Sequence, residues 1–483
     1  MNYGIIIYIL GWVVFLTGSF MTLPCICAAI YQEQQGIYYM IVALSALLIG
    51  FLITRKKPKN HQFFAREGLL MVGSSWIVMS MIAALPFTLC GDIPFYVDAL
   101  FESVSGFTTT GASILTDVEA LCHASLLWRS FTHWIGGMGV FVFLLAVLPM
   151  VGGYNMHIMR AESPGPSVGK LVPKVRDTAK ILYLIYFGLT VLMMIILIIA
   201  KMPVFDAICT AVGTAGTGGF GIKGDSMASY SPLIQWIVTI FMVLFGVNFN
   251  FYFFLLLGKG RNKKNAFKME EVRWYIGLFI LASVVISVNI LSMMGSYSES
   301  IRHASFSVAT VMTTTGFATE DFDLWPTLSK TILVAYMFLG ACAGSTGGGI
   351  KVSRIVLVFK MVRQEIRSFI HPRSVKTITL DGKPVEKDTL RGVSVYICTF
   401  SVLFIVSMLL IAIDGFSFTT TFTSVTATIN NIGPGLEICG PTGNYASFSV
   451  LSKFVFMFDM LAGRLELYPL LVLFAPRMWK KNS

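Results

Sequence analysis

The chain has 483 residues, of which 55% are hydrophobic and only 13% charged, and its mean hydropathy is +0.75. Soluble domains carry about a quarter charged residues, so this balance excludes a cytosolic enzyme, a disordered chain and a small disulfide-stapled module. The net charge of +11 does not sit on one soluble face but in short loops between apolar stretches, so no nucleic-acid partner is expected.

Spans of about 20 apolar residues are needed to cross a bilayer. The sequence predicts them at roughly 4–30, 37–54, 68–90, 125–152, 178–200, 231–258, 272–296, 329–360, 391–413 and 447–475. Ten spans put both termini on one side, and the first reads as a span rather than a cleavable leader. The stretches 55–66, 160–180, 259–273, 354–391 and 477–481 hold 28 of the 36 Lys and Arg, which makes that side cytoplasmic. Acids gather on the other side, where they would raise cation concentration over a pore. The eight cysteines lie mostly in apolar stretches without metal-type spacing and read as buried small residues. A pairing among Cys90, Cys122 and Cys439 stays open.

After the first two spans, four pairs of spans are each interrupted on the outer side by a segment too short to cross. These segments start at Asp98, Asp206, His303 and Thr420, and each reaches a glycine 13 residues on, at Gly111, Gly219, Gly316 and Gly433. A fixed offset repeated four times signals repeated structural units. About ten apolar residues make a half-length helix, and the Thr/Gly-rich stretch that follows cannot continue it. Irregular backbone at membrane depth survives only when protein buries it or when it lines water. The expected fold is therefore an all-α polytopic membrane protein with four pseudo-symmetric helix–pore loop–helix units around one pore, plus two N-terminal helices. The expected boundaries are 1–60 for the N-terminal pair, then units at 61–160, 161–262, 263–372 and 373–483. Backbone carbonyls of Thr109, Thr110, Gly111, Thr217, Gly218, Gly219, Thr314, Thr315, Gly316, Asn431, Ile432 and Gly433 are the candidate ligands for a monovalent cation.

At TTTGAS (108–113), TTTGFAT (313–319), NNIGPG (430–435), GPTGNY (440–445), GSTGGGIK (344–351) and GRLELYP (463–469) the chain resembles the Trk/Ktr/HKT family of potassium transporters, in particular its TrkH-type membrane subunits. The resemblance covers the whole length. It implies one selectivity-filter glycine per unit, mapping to Gly111, Gly219, Gly316 and Gly433. Glycine in the first unit, where some plant relatives have serine, resembles the potassium-selective branch. It also implies a bacterial inner-membrane location, a homodimer, and a cytosolic nucleotide-binding regulatory ring of the TrkA type on the cytoplasmic face. Anionic lipid is a further expected partner of the basic loops. Potassium is the expected substrate, and no covalently bound cofactor is expected.

Five glycines between Gly340 and Gly349 (Gly340, Gly344, Gly347, Gly348, Gly349) are too many for a helix interior. They predict a non-helical loop inside the membrane that breaks the second helix of the third unit and also carries Ser345 and Thr346. In the family this region resembles, the corresponding loop blocks the pore below the filter and moves on activation. Lys351 closes the loop and could tether it to an acid or a carbonyl. Arg464 is a charge in mid-span. It reads either as a salt bridge to another helix or, as the resemblance implies, as a fixed positive charge near the pore axis.

Gly216, Gly218 and Gly221 satisfy GxGxxG with no strand before them, and Ile350 stands where a P-loop needs lysine. No two histidines are spaced i, i+4. A membrane enzyme or redox subunit is accordingly the remote alternative to potassium uptake. The nearer alternative is potassium symport coupled to protons or sodium.

Overall fold

The computed structural model describes residues 3–58, 65–139, 175–257, 263, 266–371 and 377–476. The lower part of the predicted 125–152 span, the basic residues of 160–174 and 477–481, and the expected unit boundaries near 60, 160, 262 and 372 lie outside them. The regular elements among the described residues are helices apart from a minimal hairpin, Thr379–Leu380 against Lys383–Pro384.

The N-terminal helices are α1 (Tyr3–Phe20), α2 (Thr22–Tyr31) and α3 (Gly36–Thr54). Glycines let α1 and α3 approach backbone to backbone. A Cβ on Gly18 would come 2.9 Å from Ala43 O, and one on Gly50 would come 2.8 Å from Gly11 O. This is the small-residue packing that membrane helices use where the hydrophobic effect cannot drive association. The chain continues with α4 (Ala65–Leu89), α5 (Tyr96–Phe107), α6 (His123–Met138), α7 (Val175–Ile199), α8 (Val204–Gly216), α9 (Pro232–Gly246) and α10 (Phe249–Leu257). Then come α11 (Glu270–Met294), α12 (Tyr297–Met312), α13 (Thr327–Met337), α14 (Val352–Ile370), α15 (Lys387–Ile411), α16 (Phe418–Ile429), α17 (Val450–Arg464) and the short α18 (Tyr468–Leu471).

By length and composition, six helices among the described residues can cross a membrane: Tyr3–Tyr31, Gly36–Thr54, Glu67–Leu89, Asp177–Ile199, Glu270–Met294 and Lys387–Asp414. Four of them are only 22–28% buried, whereas Glu67–Leu89 is 61% buried. That contrast puts α3, α7, α11 and α15 at the periphery and α4 inside. Of the other four predicted spans, 125–152 is described only as far as Gly139, and 231–258, 329–360 and 447–475 are each broken. The 231–258 span, expected to be continuous, bends by 91° between α9 and α10. The 447–475 span breaks after Arg464, where Glu466 and Leu467 both adopt positive φ. The break predicted near 340–350 is present between α13 and α14.

The half-length helices start at Tyr96, Val204, Tyr297 and Phe418. The third begins six residues before the expected His303, which therefore sits inside the helix and bonds Thr319 Oγ1 at 3.0 Å. All eight cysteines are free thiols, Cys90, Cys122 and Cys439 included.

Candidate functional site

Each half-length helix ends the same way. A residue one or two positions past the end lies in the left-handed region: Thr109 (φ 55°), Thr217 (55°), Thr314 (57°) and Asn431 (56°). Its N–H bonds three residues back, Thr109 to Gly106 O, Thr217 to Thr214 O, Thr314 to Val311 O and Asn431 to Thr428 O. The next N–H bonds five residues back, Thr110 to Ser105 O, Gly218 to Gly213 O, Thr315 to Thr310 O and Ile432 to Ala427 O, at 2.8–3.0 Å. These two bonds around a left-handed residue are the Schellman termination, which usually recruits glycine. A β-carbon in that region costs about 1–2 kcal/mol, a strain accepted four times over. Two residues later the glycine is left-handed too: Gly111 at 78°, Gly219 at 78°, Gly316 at 89° and Gly433 at 95°. Alternating dihedrals of this kind turn successive carbonyls toward one side of an extended strand.

The four loops meet. A Cβ added to Gly111 would overlap Gly218 O, one on Gly219 would overlap Thr315 O, one on Gly316 would overlap Ile432 O, and one on Gly433 would lie 2.7 Å from Thr110 O. The contacts run from loop one to two, two to three, three to four and four back to one, so they close a ring. The same four glycines line a single surface cavity.

Side chains behind the ring lock neighbouring loops together. Glu102 on α5 accepts from Arg129 Nε at 2.5 Å, Ser113 Oγ at 2.9 Å and Ile114 N at 3.0 Å. Arg129 on α6 also donates to Gly221 O at 3.0 Å and lies over the Phe220 ring at 3.8 Å. His133 Nε2 accepts from Phe220 N at 3.2 Å, so its ring proton sits on Nδ1 and donates to Gly106 O at 2.7 Å. Asn431 Nδ2 donates to Thr110 Oγ1 at 3.0 Å, and Tyr445 donates its hydroxyl to Gly433 O at 2.8 Å.

The match to known proteins follows this geometry. Residues 33–481 match the TrkH family model, described as cation transport protein. The chain belongs to the TrkH family. It is 38% identical to the Trk system potassium uptake protein TrkH of Salmonella typhimurium over 488 residues, covering 100% of both chains. It is equally 38% identical, over 490 residues and all of both chains, to the protein of that name from Escherichia coli. The crystal structure of the potassium transporter TrkH from Vibrio parahaemolyticus superimposes with a TM-score of 0.88 at 32% identity, covering 99% of this chain and 100% of that one.

In this TrkH-family chain the glycine-rich loop lies directly against the ring. Gly348 N donates to Thr314 Oγ1 at 2.6 Å. A Cβ on Gly347 would sit 2.9 Å from Thr313 O, and one on Gly348 would sit 2.7 Å from Asn430 O. Gly340, Gly344 and Gly349 take positive φ, the conformations that turn this buried segment back on itself. Ser345 Oγ donates to Cys342 O at 2.6 Å, and Thr346 Oγ1 donates to Phe245 O at 3.3 Å. Of the two options for Lys351 the structure has the carbonyl: Nζ donates to Gly347 O, and to Gly348 O at 3.3 Å. Arg464 donates to Thr346 O at 2.7 Å, to Gly136 O, and to Gly137 O at 2.6 Å. Its guanidinium therefore joins the loop to the C-terminal end of α6, where the helix dipole is negative. Glu466, two residues on, pairs with Arg354 instead.

Sequence reasoning missed Glu102, Arg129, His133 and Tyr445. Arg129 had a signal, as a lone cation between apolar stretches, and Tyr445 ends the quoted GPTGNY motif. The other two carry no spacing or motif that separates them from ordinary polar residues.

Proposed function

We propose that this chain takes up potassium across a bacterial inner membrane through a pore at the centre of the ring. In this reading it is an ion pathway and not an enzyme. Four pseudo-symmetric units (61–160, 161–262, 263–372 and 373–483) surround the pore, the 1–60 helices flank it, and both termini are cytoplasmic. The observation that carries the reading is the closed cycle of glycine-to-carbonyl contacts. Potassium gives up its water only where a ring of oxygens replaces it. Four loops with alternating left-handed residues, each at a helix C-terminal end, supply carbonyls and a favourable dipole for a cation. The filter is assigned to Thr109–Gly111, Thr217–Gly219, Thr314–Gly316 and Asn431–Gly433.

The loop from Gly340 to Lys351 is the gate in this reading. Its support is that the loop touches Phe245 of the second repeat, Thr314 of the third, Asn430 of the fourth, and α6 of the first through Arg464. A segment in reach of all four repeats lies near their common axis. Lys351 holds the loop's turn and Arg464 its edge. The basic loops are proposed to meet anionic lipid, and a homodimer and a TrkA-type ring are the proposed protein partners.

Rubidium uptake into liposomes containing this chain alone tests the reading. Gly316→Ser adds a side chain whose Cβ would overlap Ile432 O and crowd Pro434, and is expected to weaken the preference for rubidium over sodium. Arg464→Ala removes the loop's tie to α6 and is expected to raise basal flux. Unchanged flux and selectivity in both variants would remove the assigned roles.

A further inference from the structure

Glu271 is the second residue of α11 and is only 6% exposed. Its Oε1 accepts from Ala343 N at 2.7 Å and from Ser353 N at 3.1 Å. One oxygen atom thus joins Ala343, in the first half of the glycine-rich loop, to Ser353, the second residue of α14. Ser353 N belongs to the first turn of α14, where unpaired N–H groups and the dipole favour an anion. Across the loop's neck, Val352 N also donates to Ala341 O at 3.1 Å.

Its Oε2 reaches in the other direction and accepts from Asn248 Nδ2 at 3.4 Å. Asn248 lies in the 91° break between α9 and α10, and its Oδ1 accepts from Asn250 N at 2.9 Å. The backbone groups that the break frees are not idle. Gly246 O accepts from Cys342 N, and Phe249 N donates to Gly344 O, both at 3.0 Å. The break in the second repeat and the loop of the third are therefore mated parts, with Glu271 joined to both.

We propose that Glu271 is the latch of the gate, a positioning residue that keeps the loop closed by pinning Ala343 within it to the start of α14 and to the α9–α10 break. The proposal rests on the reading of this loop as the gate. For the loop to leave the axis, Ala343 and Ser353 must separate, and they cannot while both donate to one carboxylate oxygen. Opening accordingly breaks the Glu271 bonds and lets α10 swing with the loop.

The test is basal rubidium uptake into liposomes by wild type, Glu271→Gln and Glu271→Asp, together with labelling of Cys342. That thiol lies on the loop and is wholly buried, and it is kept as the sole cysteine for the labelling with a water-soluble thiosulfonate. Losing a charge-assisted hydrogen bond is expected to raise basal uptake by roughly tenfold in Glu271→Gln and to speed Cys342 labelling in parallel. The preference for rubidium over sodium stays as in wild type. Glu271→Asp keeps the charge on a shorter arm and is expected to fall between the two; it carries the test if the glutamine variant does not purify as a monodisperse protein. A purely structural role would lower yield or stability without raising selective flux. Wild-type conduction with unchanged uptake and labelling in the variants overturns the latch alone. A wild type that carries no rubidium overturns the pathway itself, and the latch with it.

Discussion

Thr109, Thr217, Thr314 and Asn431 hold left-handed backbone without being glycine, and that strain needs bracing. Glu102 and Arg129 supply part of it. With side chains 0% and 3% exposed, the pair ties the strand after Gly111 to the strand after Gly219. Removing one member of a buried pair leaves the other unpaired, at a cost of about 3–5 kcal/mol. Glu102→Gln is expected to lower the thermal unfolding temperature of the purified protein markedly. A shift within error of wild type would show that Arg129 is satisfied by Gly221 O and Ser113 alone. The four glycines were legible in the sequence because their spacing repeats and no other residue suits their backbone. The left-handed threonines were not, since nothing in TTTG marks its second threonine as the strained one. Nor was Glu102, whose value comes from a partner 27 residues away.

At the scale of elements, the structure joins helices by their ends. The turn between α2 and α3 places Glu33 at the start of α6, where it accepts from His123 N at 2.7 Å, Ala124 N at 3.1 Å and the His123 imidazole at 2.8 Å. This fastens the N-terminal helices to the first repeat. Burial pushes the Glu33 carboxyl up, but the two backbone N–H groups and the imidazole outweigh it and hold it below the usual glutamate range. A group whose folded value is depressed stabilises the fold above its unfolded value, and the contribution disappears as pH falls through the folded one. Glu33→Gln is therefore expected to be less stable than wild type at pH 7, with the two melting curves converging as the buffer is taken below pH 4. A gap of the same size at both ends of that range would refute the linkage. Among the helix breaks, the one at 340–350 was legible because five glycines cluster there. The one between α9 and α10 was not, because Val247 and Asn248 break helices only weakly. That bend is set by tertiary bonds from Cys342 and Gly344, which no local propensity records.

Across the whole molecule, hydropathy and the placement of lysine and arginine carry most of the architecture, because the bilayer imposes both. The topology they imply is open to direct measurement. In a background without native cysteines, Asp117→Cys is expected to react with an impermeant maleimide on intact cells. Lys57→Cys is expected to react only after permeabilisation. Both positions are exposed. Reaction of Lys57→Cys on intact cells would invert the orientation. Ten continuous spans were more than the sequence could guarantee, because the predicted spans at 231–258, 329–360 and 447–475 each break around what they pack against.

All four repeats are written into one polypeptide, and only the third carries the glycine-rich insert. Identical subunits assembled about a rotation axis must each present the same parts, so a plug seated on that axis would have to occur four times in a space that holds one. Covalent linkage of the quarters lifts this restriction. With the loop as the proposed gate, this linkage lets one quarter carry a stopper, another the arginine that grips it, and a third the bent rod it rests on, while the ring keeps its near-fourfold form.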